Sequence, residues 1–455
     1  MSQPASAPAP THQPTPRYGG VVERPAPTPS AVTLAPGWRA PAPGTQPGGR
    51  IRRTLQRTFE GTPGRMRLLG ALAAVTAAVF GLVAATALWS SSAALERADH
   101  NAAQVVRVQG IYADLLRADA AATNAFLVGG LENPTQRADY DDSLARVAAA
   151  VSDAAAAQPA DRAALGALNT RVQAYAAGVE QARAYNRQGL PVGATYLSSA
   201  SSTLRSSALP ILDKLREANV DRATDEFGAS HNQVALLIVG LLALAVFAYV
   251  MVWLARRTHR YLNVPLTIAA GVVLLSLLAA SFTLLTVGSR VGTVEDSSFT
   301  GTVALASARS SAFDAKSYES LTLIARGSGA TYEDKWATQS AAVTADVQKW
   351  SRQLPTAWAS YVTAHQAIRA LDDGGNWDKA VAEAARTDQG SANQLFTAFD
   401  TAAASELDSA SATMSDQLLS LRPLATGAGW VVLVACLVAA LLALTGVNRR
   451  VEEYR

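Results

Sequence analysis

Two uncharged, predominantly apolar runs, 233–255 and 264–288, are separated only by Arg256-Arg257-Thr258-His259-Arg260-Tyr261-Leu262-Asn263, and this pair limits what the chain can fold into more than any other feature. Each run exceeds the roughly 20 residues that an α-helix needs to cross a hydrocarbon layer of about 30 Å. The pair reads as a transmembrane hairpin. Three Arg and a His in so short a connection place it in the cytoplasm, because Lys and Arg beside a span are held on that side during insertion.

Two further runs, 68–89 and 426–447, have the same character. Arg50, Arg52, Arg53, Arg57, Arg65 and Arg67 lead into the first, and Arg449 and Arg450 follow the last. All these basic flanks fall on one side if both termini are cytoplasmic, so the expected location is the plasma membrane, multi-pass. Trp89, Trp253 and Trp430 near the span ends fit interfacial belts. Ala73, Ala77, Gly81 and Ala85 recur every four residues and offer a small-residue seam to another helix.

Composition agrees. Hydrophobic residues make up 49% and charged residues only 16%, with the apolar ones gathered in these runs, as in an integral membrane protein. A net charge of +3 gives no reason to expect a nucleic-acid partner. Cys436, the single cysteine, lies in a span, which excludes an internal disulfide or a cysteine metal site and suggests a packing role. Residues 1–67 form a Pro-rich tail with a basic juxtamembrane end. Twelve of the twenty prolines fall in its first fifty residues, a composition that cannot offset the entropy of ordering. Tyr18 and Trp38 are its candidate cytoplasmic docking residues, and its basic end is expected against membrane lipid.

The remaining segments, 90–232 and 289–425, are polar yet helical. Leu95, Ala98, Ala102, Val105, Gln109, Tyr112, Leu116, Asp119, Thr123 and Phe126 step by three and four straight out of the first span. Breaks follow at 129–134, at Gln158-Pro159 and at 189–191, with Pro210 an expected kink. The second segment breaks at 327–330, Leu354-Pro355 and 372–376. Residues repeat as well as hydropathy: Tyr175, Arg183, Ala184, Asn186, Gly189 and Ala194 match Tyr361, Arg369, Ala370, Asp372, Gly375 and Ala380 without a gap, and Asp119-Ala120 matches Asp314-Ala315. Tyr140-Asp141-Asp142 likewise matches Tyr332-Glu333-Asp334. The expected fold class is all-α: four transmembrane helices with two extracytoplasmic antiparallel four-helix bundles related by internal duplication. A cytoplasmic turn at 256–263 joins the inner spans, and a short cytoplasmic tail, 448–455, ends the chain.

No phosphate loop, zincin motif, nucleophile elbow or kinase signature occurs, and the five His are scattered without metal-ligand spacing. No ionisable residue stands inside a span, where ion-coupled transporters place theirs. The expectation is a non-enzyme without cofactor, metal or catalytic residue. Two kinds of site remain. Asp119 and Asp314 sit on equivalent helix seams and could fix register, or meet a ligand or an Arg such as Arg183 or Arg369. The membrane-distal turns, with Glu132, Arg187, Asp372, Asp373 and an exposed Trp377, are candidate partner-docking positions.

Each span, bundle, span unit resembles the sensory half of a bacterial chemoreceptor or sensor kinase. The doubled four-pass plan, the Pro-rich N-terminus, the short C-terminal tail and the Ala/Arg-rich usage together resemble the actinobacterial GlnX-type membrane family. That resemblance implies a non-enzymatic relay, carrying the state of an extracytoplasmic solute-binding lipoprotein to a cytoplasmic serine/threonine kinase. The oligomeric state stays open, a homodimer included. The competing readings are a structural or adhesive envelope protein and a direct small-molecule sensor without its own output domain.

Overall fold

The computed structural model describes residues 62–128, 134–229, 234–258 and 263–452, all helix and connecting turn with no strand among them. The order is α1 (Thr62–Val128), α2 (Pro134–Ala157), a 3₁₀ turn (Pro159–Asp161), α3 (Arg162–Arg187), α4 (Val192–Thr203), a π-helical segment (Leu204–Ala208), α5 (Leu209–Ala229) and α6 (Val234–Thr258). Then come α7 (Val264–Thr293), a second π-helical segment (Val294–Phe299), α8 (Thr300–Ile324), α9 (Ala330–Trp350), α10 (Leu354–Asp373), α11 (Trp377–Ala385), α12 (Ala392–Leu419) and α13 (Arg422–Glu452).

Four helical stretches are long and apolar enough to cross a membrane, in α1, α6, α7 and α13, and the protein is a multi-pass membrane protein. Large exposed apolar side chains such as Leu82, Ile238, Phe282 and Leu441 cover the outer faces of these stretches, as lipid contact requires. Inside, α13 packs along α1 and against α7, while α6 closes the ring between α1 and α7. Lipid is as apolar as Leu, so association rests on close packing of small residues. Ala73, Ala77 and Ala85 are fully buried, and a Cβ built on Gly81 would lie 2.4 Å from Cys436 Cβ. Cys436 is thus the buried packing residue that its place in the sequence suggests. Trp89 and Trp430 meet at 4.9 Å between ring centroids, which sets the ends of these two spans at one level.

Outside the spans, α1 runs on without a break to a total of 67 residues, about 100 Å of rod. Just beyond the spans it packs in one layer with α5, α12 and the second π-helical segment, where Phe227 and Phe299 meet edge to face at 5.5 Å. Asp161 ties the first membrane-proximal turn into this column. Its carboxylate accepts from Gln104 of α1 (3.2 Å) and from Asn219 (2.8 Å) and Arg222 (2.9 Å) of α5.

Farther out, the two polar segments are not separate bodies. Helices α1 and α8 lie against each other, and one continuous hydrophobic core runs through both halves. The reason is local: no residue of α1 from 108 to 127 is exposed, and every residue of α8 from 312 to 323 is buried. The long α12 is preceded by a break at 386–391, which the sequence pattern did not anticipate, with the Ser391 hydroxyl capping α12 by accepting from the Gln394 amide. Pro210 falls two residues past the first π-helical segment. Lacking an N–H, it cannot bond the Ser206 carbonyl, and the turn before it widens, with Leu209 N–H reaching Leu204 O.

The repeat is legible at the turns. Leu190 N–H bonds Tyr185 O and Gly189 N–H bonds Asn186 O, a Schellman motif that needs a left-handed residue, supplied by Gly189 at φ 69°. Asn376 and Gly375 form the same pair of bonds to Leu371 and Asp372, with Gly375 at φ 77°. The Gly81 contact gives a direct test of the span packing. Gly81→Ala should destabilise the detergent-solubilised protein by about 1–3 kcal/mol, and adding Cys436→Gly should restore most of the loss, read as the thermal unfolding midpoint.

Candidate functional site: a charged seam between the halves

The contact between α1 and α8 contains charge. Arg205, in the first π-helical segment, reaches across both helices: Nη1 donates to Asp119 Oδ2 at 2.8 Å, and Nε and Nη2 donate to Asp314 Oδ1 at 2.9 and 2.6 Å. Asp119 is fully buried and also accepts from Ser201 (2.8 Å), Ser317 (2.6 Å) and Tyr175 (3.2 Å). The Arg205 guanidinium further bonds the Ser201 hydroxyl and lies 4.6 Å from the Tyr318 ring centroid. Burial alone would lower the Arg205 pKa, but Asp119 and Asp314 outweigh it and hold the guanidinium well above its ordinary value. Burial pushes the Asp314 carboxyl up, against the pull of Arg205.

A second node on the same seam has the opposite sign. Asp400 of α12 accepts from Arg309 of α8 at 2.6 Å and from Arg117 of α1. One cation between two anions and one anion between two cations together pin α1 against α8. Within the second half, Lys316 Nζ donates to Glu319 at 2.6 Å. Glu319 also accepts from Tyr361 at 3.1 Å and lies 2.9 Å from His365 Nδ1, while His365 Nε2 lies 3.1 Å from Glu333. His365 stacks on Trp336 at 3.6 Å. Burial would raise the Glu319 pKa, but Lys316 and then His365 lower it to about 2. Burial likewise opposes the charged form of His365, and the bonds to Glu319 and Glu333 reverse that and raise it.

The residues marked by sequence divide as follows. Asp119 and Asp314 are brought together, but neither Arg183 nor Arg369 is their partner. Arg183 donates to Glu180 one turn away at 2.7 Å and lies over the Tyr140 ring at 4.2 Å. Arg369 is taken by its helix neighbours Asp372 (2.6 Å) and Asp373 and by Glu333 (3.4 Å). Short i,i+3 and i,i+4 spacing captures both arginines locally. Trp377 is half-buried rather than open: its indole donates to Leu323 O at 2.8 Å in the last turn of α8, and Arg326 lies 3.8 Å from its ring centroid. It therefore adds a second donor to a helix-end carbonyl that also accepts from the Arg326 backbone N–H. Arg187 is exposed, and the Asp373 side chain is 67% exposed. Glu132, Tyr18 and Trp38 lie outside the described residues.

Sequence reading missed Arg205, although it is the lone charged residue between Arg187 and Asp213 in a Ser-rich helical stretch. It also missed Lys316 and Glu319, whose placement with Asp314 on different faces of one helix signals burial on every side. Among the described residues no group of His, Cys, Asp and Glu is arranged to hold a metal ion.

Residues 94–228, the first half up to α5 and including Asp119 and Arg205, match a family model described as the actinobacterial sensor domain. That similarity points to signal sensing rather than catalysis. A comparison with curated proteins found no match.

Two outcomes test the seam. Arg205→Met should destabilise the protein by about 3–5 kcal/mol, because Asp119 is left charged and buried, and adding Asp119→Asn and Asp314→Asn should recover much of the loss in a chemical denaturation series. The His365 contribution should be fully present below its ordinary pKa of about 6.5 and disappear as pH rises through its raised folded value. The Glu319 contribution should be lost as pH falls below about 4.3 toward its folded value of about 2. The thermal midpoint should thus peak between the two ranges, and His365→Phe should remove the alkaline slope and weaken the acid one, since His365 also helps hold the Glu319 carboxyl low.

Proposed function

We propose that this protein is a non-enzymatic transmembrane signal relay. The observation that carries the reading is the Arg205 bridge, because it fastens together two helices that each connect to a span without a chain break. Asp119 lies on the same helix as the first span, and Asp314 on α8, joined to α7 only through a π-helical turn. A shift of an ångström or two at the distal end would then move both spans together, a recognised class of switching motion. Similarity of residues 94–228 to a sensor domain supports an input on this side.

In this reading both termini and the Arg-rich connector are cytoplasmic, and the two polar segments are extracytoplasmic. The outside partner is a solute-binding lipoprotein at the distal turns, where Leu190 and Val192 are each 43% exposed beside Arg187, and Asp373 extends from the other half. The inside partner is a serine/threonine kinase. The basic flanks lie against membrane lipid, and the chain has no nucleic-acid partner.

The orientation is tested in a Cys436→Ala background. Cysteines at Gln188 and Lys379 should react with a membrane-impermeant thiol reagent in intact cells, while one at Arg257 should not. Labelling at Arg257 in sealed cells would overturn the relay as drawn. Crosslinking in the same cells should recover a binding lipoprotein outside and a kinase inside, and should lose the kinase signal's response to solute in Arg205→Met.

A further inference from the structure

Beside the seam, on its membrane-facing side, α1, α5, α8 and α9 enclose a cleft of about 470 Å³ that both halves line. Its polar groups are under-used. Gln109 is only 6% exposed, and its side-chain amide has no hydrogen-bond partner among the described residues. Neither amide atom is sealed in the interior, so both open on the cleft. Asp314 is 9% exposed, and both of its bonds from Arg205 end on Oδ1, which leaves Oδ2 without one. Asp213 and Asp346 also line the cleft and make no ion pair among the described residues. Burial raises both carboxyls, against the pull of Arg216 on the first and Lys349 on the second. Arg216 is the single cation in the lining, facing three carboxylates.

Helix register spaces these groups along the cleft. Asp119 and Asp314 are level because Arg205 bonds both, so Gln109 lies ten residues, about 15 Å, nearer the membrane than Asp314. Asp213 lies eight residues beyond Arg205 on the inward-running α5, about 12 Å down. A Cβ on Gly301 would meet the Trp350 ring at 2.9 Å, and Tyr318 faces Tyr332, so Asp346 stands level with Leu305, about 14 Å below Asp314. One free carboxylate oxygen therefore marks the outer end, and two carboxylates with a free amide mark the inner end. Leu116 and Tyr112 line the stretch between. Burial, then the Asp213 and Asp314 carboxylates, push the Tyr112 phenol up, as expected of a ring lying between them.

We infer that this cleft binds a linear aliphatic polyamine, with one terminal ammonium on Asp314 Oδ2, the other among Asp213, Asp346 and the Gln109 carbonyl, and its methylenes along Leu116 and Tyr112. Carboxylates this far apart cannot share one metal ion, whereas a chain charged at both ends spans them. An aromatic ring beside the path adds attraction for the cation, and a partly apolar cleft of this size is usual for a small organic ligand. The occupant would touch both halves and bond the carboxylate that anchors Arg205, so it would strengthen the joint between α1 and α8. The site needs only the joined halves and neither the lipoprotein nor the kinase proposed above, so each can fail without the other.

The test uses the full chain in phosphatidylcholine nanodiscs, which lack anionic lipid that would collect polyamine. Spermidine, putrescine and magnesium chloride are titrated at matched ionic strength. Spermidine, long enough to reach both ends, should bind saturably by calorimetry and raise the thermal midpoint, and putrescine, too short to do so, should bind severalfold more weakly. The double variant Asp213→Asn, Asp346→Asn should weaken spermidine binding about tenfold or more, with a ligand-free midpoint at or above that of the parent because no ion pair is lost. Should it misfold, Gln109→Leu, which removes no hydrogen bond from the ligand-free protein, should still weaken binding severalfold. Absence of saturable spermidine binding, magnesium binding as tight as spermidine, or unchanged affinity in the folded variants would overturn the inference.

Discussion

A charged group out of water has to be paired, and in this protein that requirement joins two halves that the chain builds separately. Arg205 has no adequate counter-charge within its own helix. It finds one carboxylate on α1 and another on α8, so its burial is tolerable only when the halves are together. Asp400, held by Arg117 and Arg309, repeats the arrangement with signs exchanged. Both nodes also oppose a slip of α1 along α8, since a displacement of one turn would draw Asp119 away from Arg205 and Arg117 away from Asp400 and leave charges out of water unpaired. The apolar core supplies most of the contact, and these nodes select its register.

Below the seam the physics changes. The spans contain no Asp, Glu, Lys or Arg to specify a partner, and steric fit replaces charge: Gly81 against Cys436, Gly240 against Leu277 and Gly429 against Trp89. Between the two regimes the four-helix layer around Phe227 and Phe299 is apolar but no longer lipid-facing on every outer side. The π-helical segments, at Leu204–Ala208 and Val294–Phe299, are the wide turns in otherwise regular helices of this column. One presents the central cation and the other joins a span to α8, so the irregular backbone stands where the proposed relay would need give.

The correspondence between the turns of the two halves provides the frame in which differences gain meaning. The Schellman turns at Gly189 and Gly375 agree bond for bond, and Tyr175 and Tyr361 both donate to a buried carboxylate of the first helix in their own half. Those carboxylates are nevertheless different residues, Asp119 in one half and Glu319 in the other. The second half has filled its interior with Lys316, Glu319 and His365, and has closed Arg369 with its own acids. The first half, in which Arg183 meets Glu180 and the Tyr140 ring, is the half that resembles a sensor domain.

How much of this was legible in the sequence depends on the range of the interaction. Hydropathy and helix periodicity act within a few turns, so the four spans, the seam from Leu95 to Phe126 and the turns at Gly189 and Gly375 could be read directly. Asp119 and Asp314 stood out because polar residues on an apolar stripe break a local pattern. Their partner did not, since Arg205 reaches them only when α1, α8 and the π-helical segment converge, and helix-neighbour candidates such as Arg183 and Arg369 are claimed by acids three or four residues away. Trp377 looked exposed because a turn implies exposure, whereas the neighbouring Leu323 carbonyl and Arg326 engage it in space. The chain alone determined which segments are helical and which enter lipid, because those choices follow from residue type and spacing. Only the tertiary structure decided that the two halves share one core and which charges meet inside it, because pairing between residues far apart in the chain, such as Arg205 with Asp314 or Arg117 with Asp400, is set by how helices pack.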